Sequence, residues 1–148
     1  MKQLKPLRLL IVEDNKADFI LTEKAFSKSK ISYELDHAID GDVALKMLKQ
    51  EKGYEDFIRP NLILLDLNMP KKDGKAFIKD IKKQKDINNI PIIIVSGAAE
   101  EAKVLFEKDK NVNGYIVKAG SQKEYKSIVK EIETIIFGAF DTSPRKKK

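Results

Sequence analysis

The sequence contains no cysteine and only one histidine among its 148 residues. A chain without cysteine has no disulfide framework and no thiolate chemistry, which is typical of proteins in a reducing compartment. No apolar run approaches the roughly 18 residues that a membrane-spanning helix needs, and residues 1–8 lack the apolar segment of a signal peptide. We therefore expect a cytoplasmic protein that is neither exported nor inserted in a membrane.

The chain also lacks the charge pattern of a nucleic-acid-binding module. It has 29 basic and 23 acidic residues, but four of the basic residues lie together at the C-terminus, which leaves 25 basic residues against 23 acidic ones. Those four are Arg145, Lys146, Lys147 and Lys148. Because no basic face accompanies a recognition helix, we expect no direct nucleic-acid contact. Residues 138–148 are interpreted as a solvated basic tail, with docking to an acidic partner or a membrane surface as the alternative.

Short apolar segments that recur along the chain predict five strands. Four of them are continuous and rich in β-branched residues, which is typical of parallel strands covered on both faces: 7–12, 61–66, 90–96 and 114–118. The segment 32–39 instead alternates apolar and polar residues, which favours an edge strand.

Segments with helical spacing of apolar residues lie between these strands and predict five helices. The faces expected to be buried are Ala17, Ile20, Leu21 and Ala25 in the first; Val43, Ala44, Met47 and Leu48 in the second; Phe77, Ile78 and Ile81 in the third; Ala98, Ala102, Leu105 and Phe106 in the fourth; and Tyr125, Ile128, Val129, Ile132, Ile135 and Ile136 in the fifth. Residues suited to N-capping precede four of the helices: Asn15, Asp40, Asp73 and Ser121.

Five successive βα units predict a flavodoxin-like, doubly wound α/β fold. Such a fold has a five-stranded parallel sheet of order 2-1-3-4-5 with five helices, and we expect it to occupy residues 1–137. Its first and third strands lie side by side, and ligands bind at the carboxyl ends of the strands there. The residues at those ends therefore indicate the function.

The predicted strand ends carry Glu13, Asp14, Asp66, Ser96 and Lys118. Three carboxylates brought close together repel one another unless a cation joins them. Oxygen ligands without histidine or cysteine suit Mg²⁺, which keeps coordination positions for a phosphate oxygen. Lys118 and Ser96 suit the phosphoryl oxygens. Asp66 is left as a carboxylate nucleophile able to form an acyl phosphate.

In combination, these motifs resemble the receiver domain of two-component response regulators over roughly residues 7–137. The motifs are the acidic pair Glu13 and Asp14, "DLNMPKKDG" from Asp66, "IIIVSG" containing Ser96, and "GYIVK" ending at Lys118. The resemblance implies that Asp66 accepts a phosphoryl group from a kinase phosphohistidine and that Ser96 and Lys118 contact that group.

The resemblance also assigns the metal ligands and the switch. Asp14, Asp66 and the backbone carbonyl of Asn68 would bind Mg²⁺ directly, and Glu13 would act largely through bound water. Tyr115 would be the switch aromatic that moves together with Ser96, although a simple packing role suits it equally. The fourth helix, fifth strand and fifth helix would form the output surface.

Two positions depart from the family pattern. Ala119 follows Lys118 where most members have a proline in a cis peptide, so this bond is either trans, with a rearranged loop, or cis and strained. Gly97 follows Ser96 where alanine is commoner. The long connection at 49–61, before the third strand, is similar to that of stand-alone receivers that serve bacteriophytochrome kinases.

These features predict a single-domain response regulator, not an enzyme, that signals by protein contact through a homodimer or a relay partner. A phosphatase of the haloacid dehalogenase type is one alternative, but it needs an acid–base aspartate where this chain has Asn68. An FMN carrier would be repelled by Glu13 and Asp14. A receiver-like scaffold that never takes phosphate is the third alternative. The sole histidine, His37, is expected to have a half-buried structural role and not to be a phosphodonor.

Overall fold

The computed structural model describes residues 5–67, 74–110, 112–117 and 129–134, in which strands and helices alternate. The strands are β1 (Leu7–Val12), β2 (Tyr33–Ala38), β3 (Leu62–Asp66), β4 (Ile92–Ser96) and β5 (Val112–Val117). The helices are α1 (Lys16–Ser27), α2 (Gly41–Leu48), α3 (Gly74–Lys82) and α4 (Ala99–Lys108), and the helical residues 129–134 belong to the fifth helix, α5.

The five strands form one parallel sheet of order β2-β1-β3-β4-β5. This confirms the predicted flavodoxin-like topology, with β2 at one edge as its alternating sequence indicates. The fifth strand begins two residues earlier than predicted, and its register against β4 shifts between Ile92 and Ile93. Val112 pairs with Ile92 and Gly114 with Ile93, so Asn113 is an extra residue in a β-bulge.

The sheet is covered on both faces along β1, β3 and β4, as their continuous apolar runs predict. The same prediction was wrong for β5, an edge strand in which buried and exposed residues alternate and Val117 is 44% exposed. One hydrophobic cluster joins the sheet to α2, α3 and α4, and it includes Leu65, Leu48 and Phe77. The other joins the opposite face to α1 and α5, and it includes Phe26 and Ile132. In β3, all five residues of Leu62–Asp66 are buried, so the strand that ends at the aspartate is held from both sides.

The buried face of α1 was predicted wrongly in part. Ala17 is exposed and Ile20 is 44% exposed, whereas Phe26 is fully buried beside Ala25. The helix turns Phe26 to the sheet and leaves Ile20 toward solvent, because burial of the phenylalanine ring removes more apolar surface from water than burial of the isoleucine would. Thr22 shares this buried face, and its hydroxyl donates to the Asp18 carbonyl at 2.9 Å.

The face predicted for α4 was also too wide. Ala102 is buried, but Phe106 is 40% exposed and its ring packs against Tyr115 of β5 at a centroid separation of 5.5 Å. The predicted faces of α2 and α3 are confirmed in Ala44, Met47 and Leu48, and in Phe77, Ile78 and Ile81.

Two predicted N-caps are confirmed by their hydrogen bonds. Asn15 accepts from the Asp18 N–H at 3.0 Å, and Asp40 accepts from the Val43 N–H at 2.8 Å. The other predictions for the helix ends and the C-terminus fall outside the described residues. They concern the caps Asp73 and Ser121, the α5 residues Tyr125, Ile128, Ile135 and Ile136, and the basic tail at 138–148. None of the helices within the described ranges is long and apolar enough to cross a membrane.

Candidate functional site

Three carboxylates meet at the carboxyl edge of the sheet, where β1 and β3 are neighbours. Val12 of β1 pairs with Leu65 of β3, so Glu13 and Asp14, which follow β1, lie beside Asp66, the last residue of β3. One oxygen from each of the three side chains lies within 4.8 Å of the other two. The sequence predicted this grouping, although 52 residues separate Asp14 from Asp66.

The burial of these carboxylates makes the cluster electrostatically unfavourable by itself. Glu13 and Asp66 are each only 5% exposed, while Asp14 is exposed. At 4.8 Å, two like charges repel by about 3 kcal/mol with an effective dielectric of 20. Solvent around the exposed Asp14 carboxylate weakens the two repulsions in which Asp14 takes part. A divalent cation would turn this repulsion into attraction. The all-oxygen donor set fits a hard ion such as Mg²⁺ or Mn²⁺.

Hydrogen bonds to neighbouring elements hold the acidic loop after β1. The Glu13 N–H donates to the Ala38 carbonyl at the end of β2 at 3.0 Å. The Glu13 carboxylate accepts from the Asn15 N–H at 3.2 Å, and Asn15 in turn caps α1. The loop is thus anchored to the edge strand on one side and to a helix N-terminus on the other.

His37 also contacts this loop, which the sequence did not reveal. It is half-buried, as predicted, and its Nε2 atom lies 2.7 Å from the Glu13 carbonyl oxygen. Its ring stacks on Phe19 of α1 at a centroid separation of 3.9 Å and an interplanar angle of 8°. Only the placement of His37 near the end of a strand beside β1 could have signalled this contact.

Gly74 fixes the other side of Asp66. Its N–H donates to the Leu67 carbonyl at 2.9 Å, which ties the first turn of α3 to the residue after Asp66. A Cβ atom at position 74 would lie 2.8 Å from the Leu67 Cα atom. Glycine is therefore needed at position 74, where the two backbone segments approach each other closely.

Ser96 ends β4, beside the strand that carries Asp66. Asp66 pairs with Val95, so Ser96 stands one residue further along the same edge. It is fully buried, and its Oγ atom accepts from the Ala98 N–H at 3.0 Å. The hydroxyl is thus oriented by its own loop.

The remaining predicted site residues are only partly covered by the structure. Tyr115 is half-buried in β5, with its ring 50° from the plane of Phe106, which agrees with a packed aromatic. Lys118 is the residue after Val117, which pairs with Ser96. Lys118 itself, Asn68 and the Lys118–Ala119 peptide lie outside the described residues.

Comparison with known proteins identifies the family. Residues 9–130 match the response regulator receiver domain. Response regulator Rcp1 of Synechocystis sp. is 39% identical over 129 residues, which are 87% of this chain and 88% of Rcp1.

Solved structures agree with this match. The phosphorylated cyanobacterial phytochrome response regulator RcpA superposes with a TM-score of 0.81 and 36% identity, over 95% of this chain and 100% of RcpA. The Mn²⁺-bound form of Rcp1 gives a TM-score of 0.78 and 36% identity, over 96% of this chain and 100% of Rcp1. The chain therefore belongs to the response regulator receiver domain family of two-component signalling.

Proposed function

We propose that this protein is a single-domain response regulator that accepts a phosphoryl group on Asp66 from the phosphohistidine of a sensor kinase, in a Mg²⁺-dependent reaction. The observation that carries the proposal is the meeting of buried Asp66 with Glu13 and Asp14 within 4.8 Å at the end of a fully buried strand. A rigid strand presents the acceptor oxygen at a fixed position, which favours attack on a correctly placed phosphorus.

In the proposed reaction, an Asp66 carboxylate oxygen forms a bond to phosphorus while the bond from phosphorus to the histidine nitrogen breaks. Mg²⁺, when bound, would offset the negative charge of the carboxylates and the phosphoryl oxygens. Asp14 and Asp66 would hold the ion with the Asn68 carbonyl, and Glu13 would act through water. Lys118 would neutralise charge on the phosphoryl oxygens.

Ser96 would report the phosphorylation. Its hydroxyl accepts from the Ala98 N–H in the present arrangement, and a phosphoryl group on the neighbouring strand would offer it a charged acceptor, which gives a stronger hydrogen bond. Movement of Ser96 toward that group would release the Ala98 N–H and alter the start of α4. Tyr115, which packs on Phe106 of the same helix, would move with it as the second part of the switch.

The proposed phosphodonor is a sensor histidine kinase of the phytochrome class, with a phosphotransfer protein as the alternative, and the proposed location of the chain is the cytoplasm. Two similar proteins, RcpA and the bacteriophytochrome response regulator AtBRR, are described as phytochrome response regulators, and AtBRR superposes with a TM-score of 0.75 at 28% identity. The chain is proposed to comprise a receiver domain at 1–137 and a solvated basic tail at 138–148, without contact to nucleic acid.

The proposed output is contact with a second copy of the chain through α4, β5 and α5. Three large apolar side chains are exposed on the first two of these elements: Val104, Phe106 and Val117, each 40–44% exposed. Since β5 lies at the edge of the sheet opposite β2, a partner can reach this surface without disturbing the core. A symmetric dimer would remove these side chains from water, which is favourable.

The phosphoacceptor is tested by incubating the protein with acetyl phosphate and Mg²⁺ and measuring the intact mass. The wild type should gain one phosphoryl group and Asp66→Asn none. Asp40→Asn is the matched control, because Asp40 is also 5% exposed and asparagine caps α2 equally well. It should be phosphorylated like the wild type.

Other outcomes would contradict the proposal. Equal adducts on wild type and Asp66→Asn would place the phosphoryl group elsewhere. Continuous release of free phosphate at high turnover would favour the phosphatase, and no adduct on any variant, with acetyl phosphate or a kinase, would favour the scaffold.

The output surface is tested by light scattering after chromatography, with and without acetyl phosphate. We expect the phosphorylated wild type to form more dimer and Phe106→Glu to remain monomeric while still taking up phosphate. Ile58→Glu is the control, since Ile58 is 60% exposed but lies in the 49–61 connection. If Ile58→Glu abolished the dimer and Phe106→Glu did not, the contact surface would be elsewhere.

A further inference from the structure

We propose that His37 is a positioning residue for the metal site: its Nε2–H group fixes the peptide that carries Asp14. This inference rests on the proposed Mg²⁺-dependent function and adds to it a residue outside the strand-end motifs. It starts from the 2.7 Å separation between His37 Nε2 and the Glu13 carbonyl oxygen.

The chemistry of that contact sets the tautomer of the ring. A carbonyl oxygen can only accept a hydrogen bond, so Nε2 must carry the proton and donate it. The separation of 2.7 Å is at the short end for an N–H donor and a carbonyl acceptor. His37 therefore acts here as a hydrogen-bond donor, and its Nε2 lone pair is not available as a ligand or a base.

The Glu13 carbonyl that accepts this hydrogen bond belongs to the peptide between Glu13 and Asp14. A peptide unit is planar, so holding the Glu13 carbonyl also fixes the direction of the Asp14 N–H and Cα. The same residue is held on its other side, where the Glu13 N–H donates to the Ala38 carbonyl at 3.0 Å. The last two residues of β2 thus hold Glu13 by both of its backbone polar groups.

This restraint matters most for Asp14, the exposed member of the carboxylate cluster. Glu13 and Asp66 are buried and so are confined by packing, whereas Asp14 depends on its backbone for its direction. If the peptide before Asp14 rotated, its carboxylate would leave the position at which an oxygen lies within 4.8 Å of the other two. A carboxylate that is already held in the binding position loses less conformational entropy when it binds a metal than a mobile carboxylate does.

Phe19 keeps the donor in place. Its ring is nearly parallel to the imidazole, at a centroid separation of 3.9 Å and an angle of 8°. Because Phe19 lies in the first turn of α1, just after the acidic loop, the stack ties β2 to the helix that follows the loop. His37 therefore joins the edge strand, the acidic loop and α1 through one hydrogen bond and one ring contact.

A purely structural role for His37 makes a different prediction, and two substitutions separate the two readings. His37→Phe keeps a ring for the stack and removes the donor. His37→Gln removes the ring and keeps an N–H donor the same number of bonds from the backbone as Nε2. If the donor positions Asp14, glutamine should restore metal binding; if only the stack matters, phenylalanine should.

The probe is Mg²⁺ alone, titrated into the full chain while the backbone amide signals of Asp14 and Asp66 are followed by NMR. We expect His37→Phe to bind Mg²⁺ about five- to tenfold more weakly than the wild type, and His37→Gln to remain within about twofold. Thermal unfolding without metal checks that each variant is folded.

The outcomes separate this inference from the proposed function. A wild type that binds no Mg²⁺ and takes no phosphate refutes both. A wild type that binds Mg²⁺, with His37→Phe equal to it or His37→Gln as weak as His37→Phe, refutes the role of the donor and leaves the phosphorylation of Asp66 intact.

A measurement on the wild type keeps the inference testable even if His37→Phe does not fold. Because the chain has one histidine, its long-range ¹H–¹⁵N spectrum shows a single imidazole. We expect the Nε2–H tautomer and a shift of that signal during the Mg²⁺ titration with the same Kd as Asp14. A ring protonated on Nδ1 alone, or one whose signal does not respond to Mg²⁺, overturns the inference.

Discussion

The close approach of Gly74 to Leu67 gives the sharpest prediction about the loop that follows Asp66, the proposed phosphoacceptor. In Gly74→Ala, the new Cβ atom would meet the Leu67 Cα atom at 2.8 Å and the Leu67 Cδ2 atom at 2.7 Å. The leucine side chain can rotate away, but the Cα atom is backbone and can move only with the chain. Carbon atoms normally stay about 3.5 Å apart, so the two segments must separate by about 0.7 Å.

The expected size of the effect follows from two opposing terms. Overpacking of this kind destabilises a protein by about 1–3 kcal/mol. Alanine is a better helix former than glycine by up to about 1 kcal/mol, which offsets part of that loss. We therefore expect a net decrease of about 1–2 kcal/mol in the free energy of unfolding. For a chain of this length, that corresponds to a fall in Tm of roughly 2–8 °C.

Function should be affected more than stability. Leu67 directly follows Asp66, so a displaced Leu67 also displaces the Asp66 carboxylate. A misplacement of about 1 Å at a reacting atom can slow a reaction about 100-fold. For the smaller shift expected here, we predict that phosphorylation by acetyl phosphate slows at least about tenfold.

The assay combines urea unfolding with the rate of adduct formation by intact mass. Gly97→Ala is the matched control, since a Cβ atom there has no atom within 4 Å. It should change the free energy of unfolding by no more than about 0.5 kcal/mol. If Gly74→Ala unfolded at the same urea concentration as Gly97→Ala and was phosphorylated as fast, the steric reasoning would be refuted.

Three further predictions concern the acidic loop and its metal. Asp14→Asn should raise the free energy of unfolding of the metal-free protein by about 1 kcal/mol, because one repulsive charge is removed. The same change should weaken Mg²⁺ binding at least about tenfold. A lower stability of the metal-free variant would contradict this. Mg²⁺ at 100 times its Kd should stabilise the wild type by about 2.7 kcal/mol, an increase that a chelator should reverse in thermal unfolding. Asn15→Ala should lower the free energy of unfolding by about 1 kcal/mol, because the Asp18 N–H loses its cap, whereas Asn15→Asp should lower it much less. Equal decreases in urea unfolding would argue against the cap.

Much of the fold could be predicted from the sequence because its signals are local. Three of the four continuous apolar runs identify strands that are buried on both faces, and β3 is buried throughout. The fourth run identifies β5 as a strand but not its burial, because β5 lies at the edge of the sheet and alternates buried and exposed residues. Asn15 and Asp40 mark helix starts because a capping side chain bonds to an amide only three residues away. The buried stripe of α1 was misjudged, because spacing alone does not show which of two apolar stripes meets the sheet.

The candidate site was predicted in the same way. Parallel strands end at one edge, so the residues after β1 and β3 had to be neighbours once the strand order was assigned. This reasoning placed Glu13, Asp14, Asp66 and Ser96 at the same edge of the sheet, where the structure has them. It did not find the contact from His37 to the Glu13 carbonyl, because a backbone acceptor leaves no mark in the side-chain pattern.

By itself, the sequence determined the order of strands and helices, the two caps and the identity of the groups at the strand ends, because these depend on residue type and short-range spacing. Only the tertiary structure decided how closely the carboxylates meet, which face of α1 is buried, why position 74 needs glycine and what His37 holds. Those features depend on distances between atoms far apart in the chain, and packing and strand register set such distances.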